Sequence, residues 1–178
     1  MAFGEGSAEY VRRALRAVED STIWIGIQST EGAKPHEPEP SEPRPDEIPT
    51  LATVAAVQEY GRAPGPGRPA IPQRSYLRAT ADAKGKGWLR VYRKAILAYA
   101  AGDEAEYFRL IKTIGTVSTG QIRNRIERRI DPPLSKYTVA RRRKGPGSGI
   151  PVPLIDTSQL INSVRSQAVT VAGPLLIG

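Results

Sequence analysis

The sequence predicts an α+β fold, a small and mostly antiparallel sheet packed against two long central helices, with long extended loops. Three observations carry this. Residues 23–27 alternate Ile23, Ile25 and Ile27 with Trp24 and Gly26, the period of a strand with one covered face. Trp88, Val91, Tyr92, Ala95, Ile96 and Tyr99 recur at helical spacing, and Phe108, Ile111, Ile114, Ile122, Ile126 and Ile130 extend a second helical pattern over residues 104–130. Val164, Val169 and Val171 mark an extended segment near the end that returns to the sheet.

In chain order, residues 7–20 make an amphipathic helix with Val11, Leu15 and Val18 on one face, Ala8 and Ala14 beside them, and Arg12, Arg13, Arg16 and Glu19 turned away. The strand follows. From Glu31 to Pro49 there are six prolines and almost no apolar side chains, so an extended, acidic, polyproline-like loop is expected over residues 31–50. Residues 50–60 read as a short helix capped by Thr50 and stopped at Gly61. Prolines 64, 66, 69 and 72 then hold the chain extended, and Gly85 with Gly87 predicts a break ahead of the first long helix. The second long helix ends before Asp131-Pro132-Pro133, because proline pushes the preceding residue out of the α region. Residues 140–153 are expected to form a basic, glycine-rich loop, and Asp156-Thr157 to cap a last short helix over Leu160 and Ile161. Residues 171–178, uncharged and rich in leucine and isoleucine behind Gly173-Pro174, are expected to leave the sheet as an apolar C-terminal arm.

The chain has 178 residues, the size of one domain with extensions, and is read as a single domain over 1–178. It has no cysteine, and its one histidine, His36, lies between Pro35 and Glu37. That excludes a thiol nucleophile, a zinc knuckle and a disulfide scaffold, and a histidine-based hydrolase or metal site would have to be built around His36. No nucleotide-binding loop or nucleophile-elbow motif occurs, so the chain is not expected to be an enzyme or to hold a cofactor or metal. The longest uncharged run, Ser166–Gly178, has thirteen residues, short of the roughly 20 that a spanning helix needs, and the first thirteen residues lack the apolar core of a secretory leader.

The net charge of +8 is unevenly distributed: residues 1–60 hold five basic and eleven acidic side chains, residues 61–178 hold 21 and seven. Such a chain suits a subunit that sets its basic part on an acidic neighbour, or a basic protein that binds the phosphate backbone of duplex DNA. Two basic clusters stand out, Arg123, Arg125, Arg128 and Arg129 near the end of the second helix, and Arg141, Arg142, Arg143 and Lys144 further on. Few aromatic residues lie near either, which disfavours base stacking on single strands.

The order Glu59-Tyr60-Gly61, then Ile71-Pro72-Gln73-Arg74-Ser75-Tyr76-Leu77-Arg78, then Pro132-Pro133-Leu134-Ser135 with Thr138 and Arg141–Lys144, then Pro153-Leu154-Ile155-Asp156-Thr157 with Leu160, Ser163 and Val164, resembles the neck and tail-completion proteins of tailed bacteriophages. The likeness covers about 120 residues, and it lies in the order of short motifs around two long helices. Ser158 stands where that pattern carries glycine, Tyr76 where it carries phenylalanine, and the insert at 31–50 has no counterpart in it. The resemblance implies a non-enzymatic virion subunit assembled in the host cytoplasm. It would form a homo-oligomeric ring, a hexamer, at the phage neck, joining head connector or adaptor proteins to the tail tube or terminator, with DNA only passing through the lumen and no membrane contact. The candidate assembly residues are Glu37, Glu39 and Glu42 of the acidic loop, set against Arg141, Arg142, Arg143 and Lys144 of the next subunit, together with Leu175, Leu176 and Ile177 of the apolar arm.

Overall fold

A computed structural model describes residues 5–35, 48–67, 69–128, 130–144, 153–154 and 158–177. The elements run α1 (Glu5–Glu19), β1 (Thr22–Ile27), α2 (Ser29–Gly32), α3 (Leu51–Tyr60), α4 (Arg78–Ala100), α5 (Glu104–Glu127), α6 (Lys136–Lys144), α7 (Gln159–Ser163), β2 (Val164–Thr170) and β3 (Gly173–Ile177). The fold is α+β, two long helices and a small sheet of order β1-β2-β3. The chain divides into two compact units, one of residues 1–25, 82–120 and 165–178, the other of residues 26–81 and 121–164.

In the first unit the α4 stripe meets the apolar side of α5. Ala95, Ile96 and Tyr99 pack with Tyr107, Leu110 and Ile111, and Ala168 of β2 and Ile177 of β3 close the same cluster. The Tyr99 and Tyr107 rings lie 5.2 Å apart at a tilt, and the buried hydroxyls of Tyr107 and Ser21 are 2.6 Å apart. Gly102, at φ +89°, turns the chain between the helices, and Asp103 caps α5 by accepting the Glu106 amide. The expected break at Gly85 and Gly87 does not occur: α4 is continuous, because glycine weakens a helix by only about 1 kcal/mol per residue and the packed stripe downstream holds it.

Two further expectations are corrected. Residues 171–177 are not a detached arm, and Gly178 lies outside the described residues. Val171-Ala172 turn the chain back so that β3 pairs antiparallel with β2, Ser166 opposite Ile177 and Thr170 opposite Gly173. Pro174 is tolerated because β3 is an edge strand, and the Thr170 hydroxyl locks the turn by donating to the Gly173 carbonyl. The basic run is not in a loop either. Arg141–Lys144 form the last turn of α6, whose start is capped by the Ser135 hydroxyl accepting the Thr138 amide, and arginine and lysine are good helix formers. Residues 145–152 lie outside the described ones.

In the second unit α3 ends as its sequence predicts, with Thr50 accepting the Thr53 amide and Gly61 at φ +76°. Glu31 and Gly32 belong to α2 rather than to the acidic loop. The two ends of that loop meet: Pro35 bridges Thr50, and the Leu51 amide donates to the Lys34 carbonyl at 2.9 Å. Residues 36–47 between them are outside the described residues, as are Asp156 and Thr157, the expected cap of α7; the residue at its N-terminus is Ser158, at φ +61° with no side-chain cap bond.

Candidate functional site

The densest polar constellation lies in the second unit and is centred on Glu59. Its side chain, 3 % exposed, points from the last turn of α3 to the start of α4. There the carboxylate accepts the Ser75 hydroxyl at 2.6 Å, the backbone amides of Tyr76, Leu77 and Arg78 at 2.8, 2.9 and 3.1 Å, and the Arg78 Nε at 3.1 Å. A helix start presents unpaired amides and the positive end of its dipole, so a carboxylate there is bound both by hydrogen bonds and by charge. Burial by itself raises the Glu59 pKa, but the bonds from Ser75, Leu77, Arg78 and Tyr76 together hold it below the usual carboxylate range.

The neighbouring motif residues serve the same junction. A Cβ on Gly61 would lie 2.9 Å from the Gln73 nitrogen and 3.0 Å from the Ile71 carbonyl oxygen, so this position requires glycine for space as well as for φ. Buried Arg74 donates to the carbonyls of Pro132 and Pro133 at 2.9 and 3.2 Å, and Arg125 of α5 donates to the Ser75 carbonyl at 3.0 Å. The Arg78 guanidinium lies 4.4 Å from the Tyr60 ring centroid. Tyr76 is fully buried. A carboxylate saturated by five donors and held ionised cannot shuttle protons near neutral pH, so the chemistry of this cluster is mechanical: it ties the end of α3, the 71–78 segment, α5 and the 132–133 turn together.

In the sequence the members of this cluster stand apart, and the one signal that links them is that Glu59, Gly61, Arg74 and Ser75 all fall within the resembling motifs. The first basic cluster partly dissolves into such bonds: Arg123 donates to the Val164 carbonyl at 2.8 Å and Arg125 to Ser75. Arg129 lies outside the described residues.

Among the assembly candidates, Arg141, Arg142, Arg143 and Lys144 share the end of α6, while their side chains and the whole of Glu37, Glu39 and Glu42 are outside the described residues. Leu175 is half-buried against the first unit's core and Ile177 is buried within it; Leu176 lies in β3, its side chain undescribed. Among the described residues no group of three or more histidine, cysteine, aspartate or glutamate side chains could hold a metal, and no helix is long and apolar enough to cross a membrane.

The first unit leaves two apolar surfaces exposed. Val11, Leu15 and Val18 of α1 are 53, 56 and 53 % exposed; the side of α1 that packs inward is the Arg13, Ala14 and Ala17 side. Arg13 donates to the Tyr99 carbonyl at 3.0 Å and sits over that ring, which fixes the helix with its apolar stripe outward. Elsewhere a groove of about 270 Å³ opens between β1 and α4, walled by Ile23, Ile25, Gly85, Trp88, Leu89 and Tyr92. The Tyr92 hydroxyl is already committed to the Ser21 carbonyl at 3.1 Å. No family model, no curated protein and no solved structure matches this chain.

Proposed function

We propose that this chain is a structural subunit of a tailed-phage neck, a ring protein of the tail-completion type that joins the head connector to the tail tube. The observation that supports the reading most is the Glu59 junction. The short motifs that carry the resemblance, 59–61, 71–78 and 132–133, lie far apart in sequence, yet they converge on one buried clamp whose bonds are internal. Motifs whose purpose is to fix a fold are what a scaffold subunit shares with its relatives, whereas an enzyme's motifs converge on an open cleft with reactive groups. In this reading the copies form a closed ring, a hexamer, with connector or adaptor proteins on one side, tube or terminator on the other, and DNA passing through the lumen.

The test is negative-stain imaging and solution mass of the purified chain, alone and with tails. Closed rings, or rings formed on tail ends, are the expected result. A second reading, a basic protein on duplex phosphates, draws on the helical placement of the Arg141–Lys144 run in α6. A monomer that shifts duplex DNA, with affinity falling steeply as salt rises, would establish that reading and end the first.

A further inference from the structure

We infer that copies of this chain join head to tail, the apolar stripe of α1 from one copy lying in the β1–α4 groove of the next. The contact deepens the ring reading and rests on it only for ring closure.

The stripe has the spacing of helix-in-groove anchors: Val11, Leu15 and Val18 are at i, i+4 and i+7, with Ala8, also exposed, extending the row at i−3. Among the described residues nothing covers it. The groove offers the complementary shape. From Val11 to Val18 is seven helical steps, about 10 Å, and the α4 wall from Gly85 to Tyr92 is also seven steps, so the two rows match in length. Ile23 and Ile25, the covered face of β1 by sequence, are only half-buried, because the groove leaves them open.

Of the three glycines in α4 and α5 whose Cβ would meet nothing within 4 Å, Gly85, Gly87 and Gly120, Gly85 is the one that lines the groove, and its backbone is ordinary helix. A side chain at 85 would fill the space that an incoming helix needs.

Charge agrees. Leu89 in the wall is flanked at i−3 and i+4 by exposed Lys86 and Arg93; Leu15 in the stripe is followed at i+4 by exposed Glu19, while Arg12 at its i−3 is already paired with Glu9, and among the described residues Lys86, Arg93 and Glu19 have no ion pair. A groove wall without a free hydroxyl gives a small polar ligand little to orient it, whereas it suits an aliphatic helix face. No stripe residue lines the groove, so the two surfaces are distinct and the contact is heterologous, the type that closes into a ring when its rotation allows.

The absence of cysteine makes the test clean. L15C and L89C, both at exposed positions, are treated with a short bis-maleimide. Interchain links are expected when the two variants are mixed and not with either alone. Links in L15C alone would place stripe against stripe and overturn the contact. So would a chain that stays monomeric. G85L is expected to melt no lower than the parent, since it removes a helix-weakening glycine at an open position, and to lose the oligomer; a G85L that assembles like the parent overturns the proposal. An oligomer without the mixed link removes this contact and leaves the neck reading standing, whereas mixed links in open filaments keep the contact and remove the neck reading.

Discussion

The Glu59 carboxylate takes five hydrogen bonds at one helix start, and its removal leaves three amides, a hydroxyl and a guanidinium without their acceptor. Hydrogen bonds to charged groups contribute about 1.5–3 kcal/mol, so Glu59→Gln is expected to lower unfolding free energy by at least that in urea melts at neutral pH. The pH dependence has a defined sign. The folded pKa lies below the unfolded one, so the contribution is fully present above the ordinary carboxylate range and is lost as pH falls through the folded value. The gap between wild type and Glu59→Gln should therefore narrow as pH drops below about 4, measured as the difference between their urea midpoints. Two other residues stand where the resembling pattern carries a different one, and each sits at a local cost. The Tyr76 hydroxyl is buried without a hydrogen-bond partner among the described residues, and Ser158 holds a left-handed φ of +61°. Tyr76→Phe and Ser158→Gly are each expected to stabilise by about 1 kcal/mol, seen as raised melting temperatures.

Helix α5 carries two glycines that look equally weakening in sequence and differ in the structure. A Cβ at Gly120 meets nothing within 4 Å, whereas at Gly115 it would fall 2.7 Å from both the Ile177 Cγ2 and the Ser166 Oγ. Those atoms belong to buried side chains of β3 and β2, so they cannot swing away. Gly115→Ala gains up to about 1 kcal/mol of helix propensity and loses about 1–3 kcal/mol to overpacking, with net destabilisation expected. Gly120→Ala keeps the gain alone. Thermal melts of the two variants should move in opposite directions. The same packing makes β3 part of the core, so truncation after Ala172 should lower the melting temperature of the isolated chain. Ile177 alone contributes roughly 1.5–3 kcal/mol of burial, and the hairpin bonds go with it.

At the scale of the molecule, the acidic insert can be separated from the fold. Its ends are pinned by the Pro35–Thr50 bridge, the Lys34–Leu51 bond and the Gln159 side chain donating to the Pro35 carbonyl at 3.0 Å. Replacing residues 36–47 by Gly-Gly leaves a four-residue connection between Pro35 and Thr50. Because loop length enters stability only logarithmically, unfolding free energy is expected to stay within about 1 kcal/mol of the parent. If the loop contacts a basic neighbour in the proposed ring, the same variant should assemble less well at low salt and near normally at high salt, read by solution mass.

The sequence by itself determined the elements whose signals are local. The Ile23–Ile25–Ile27 alternation, the Thr50 cap and Gly61 stop, the α4 and α5 stripes and the fold class follow from periodicity and capping, which neighbours within a few residues decide. Tertiary structure decided what depends on partners distant in the chain. An apolar stripe on α1 says that one side is hydrophobic, not that Arg13 and Ala17 will hold the other side inward. Gly173-Pro174 signals a departure from the preceding strand, and only the space Gly115 leaves on α5 shows why Ile177 returns. Likewise Glu59 looks like one more surface acid until α4 begins where its carboxylate can reach, because a buried charge is permitted only where donors from elsewhere in the chain surround it.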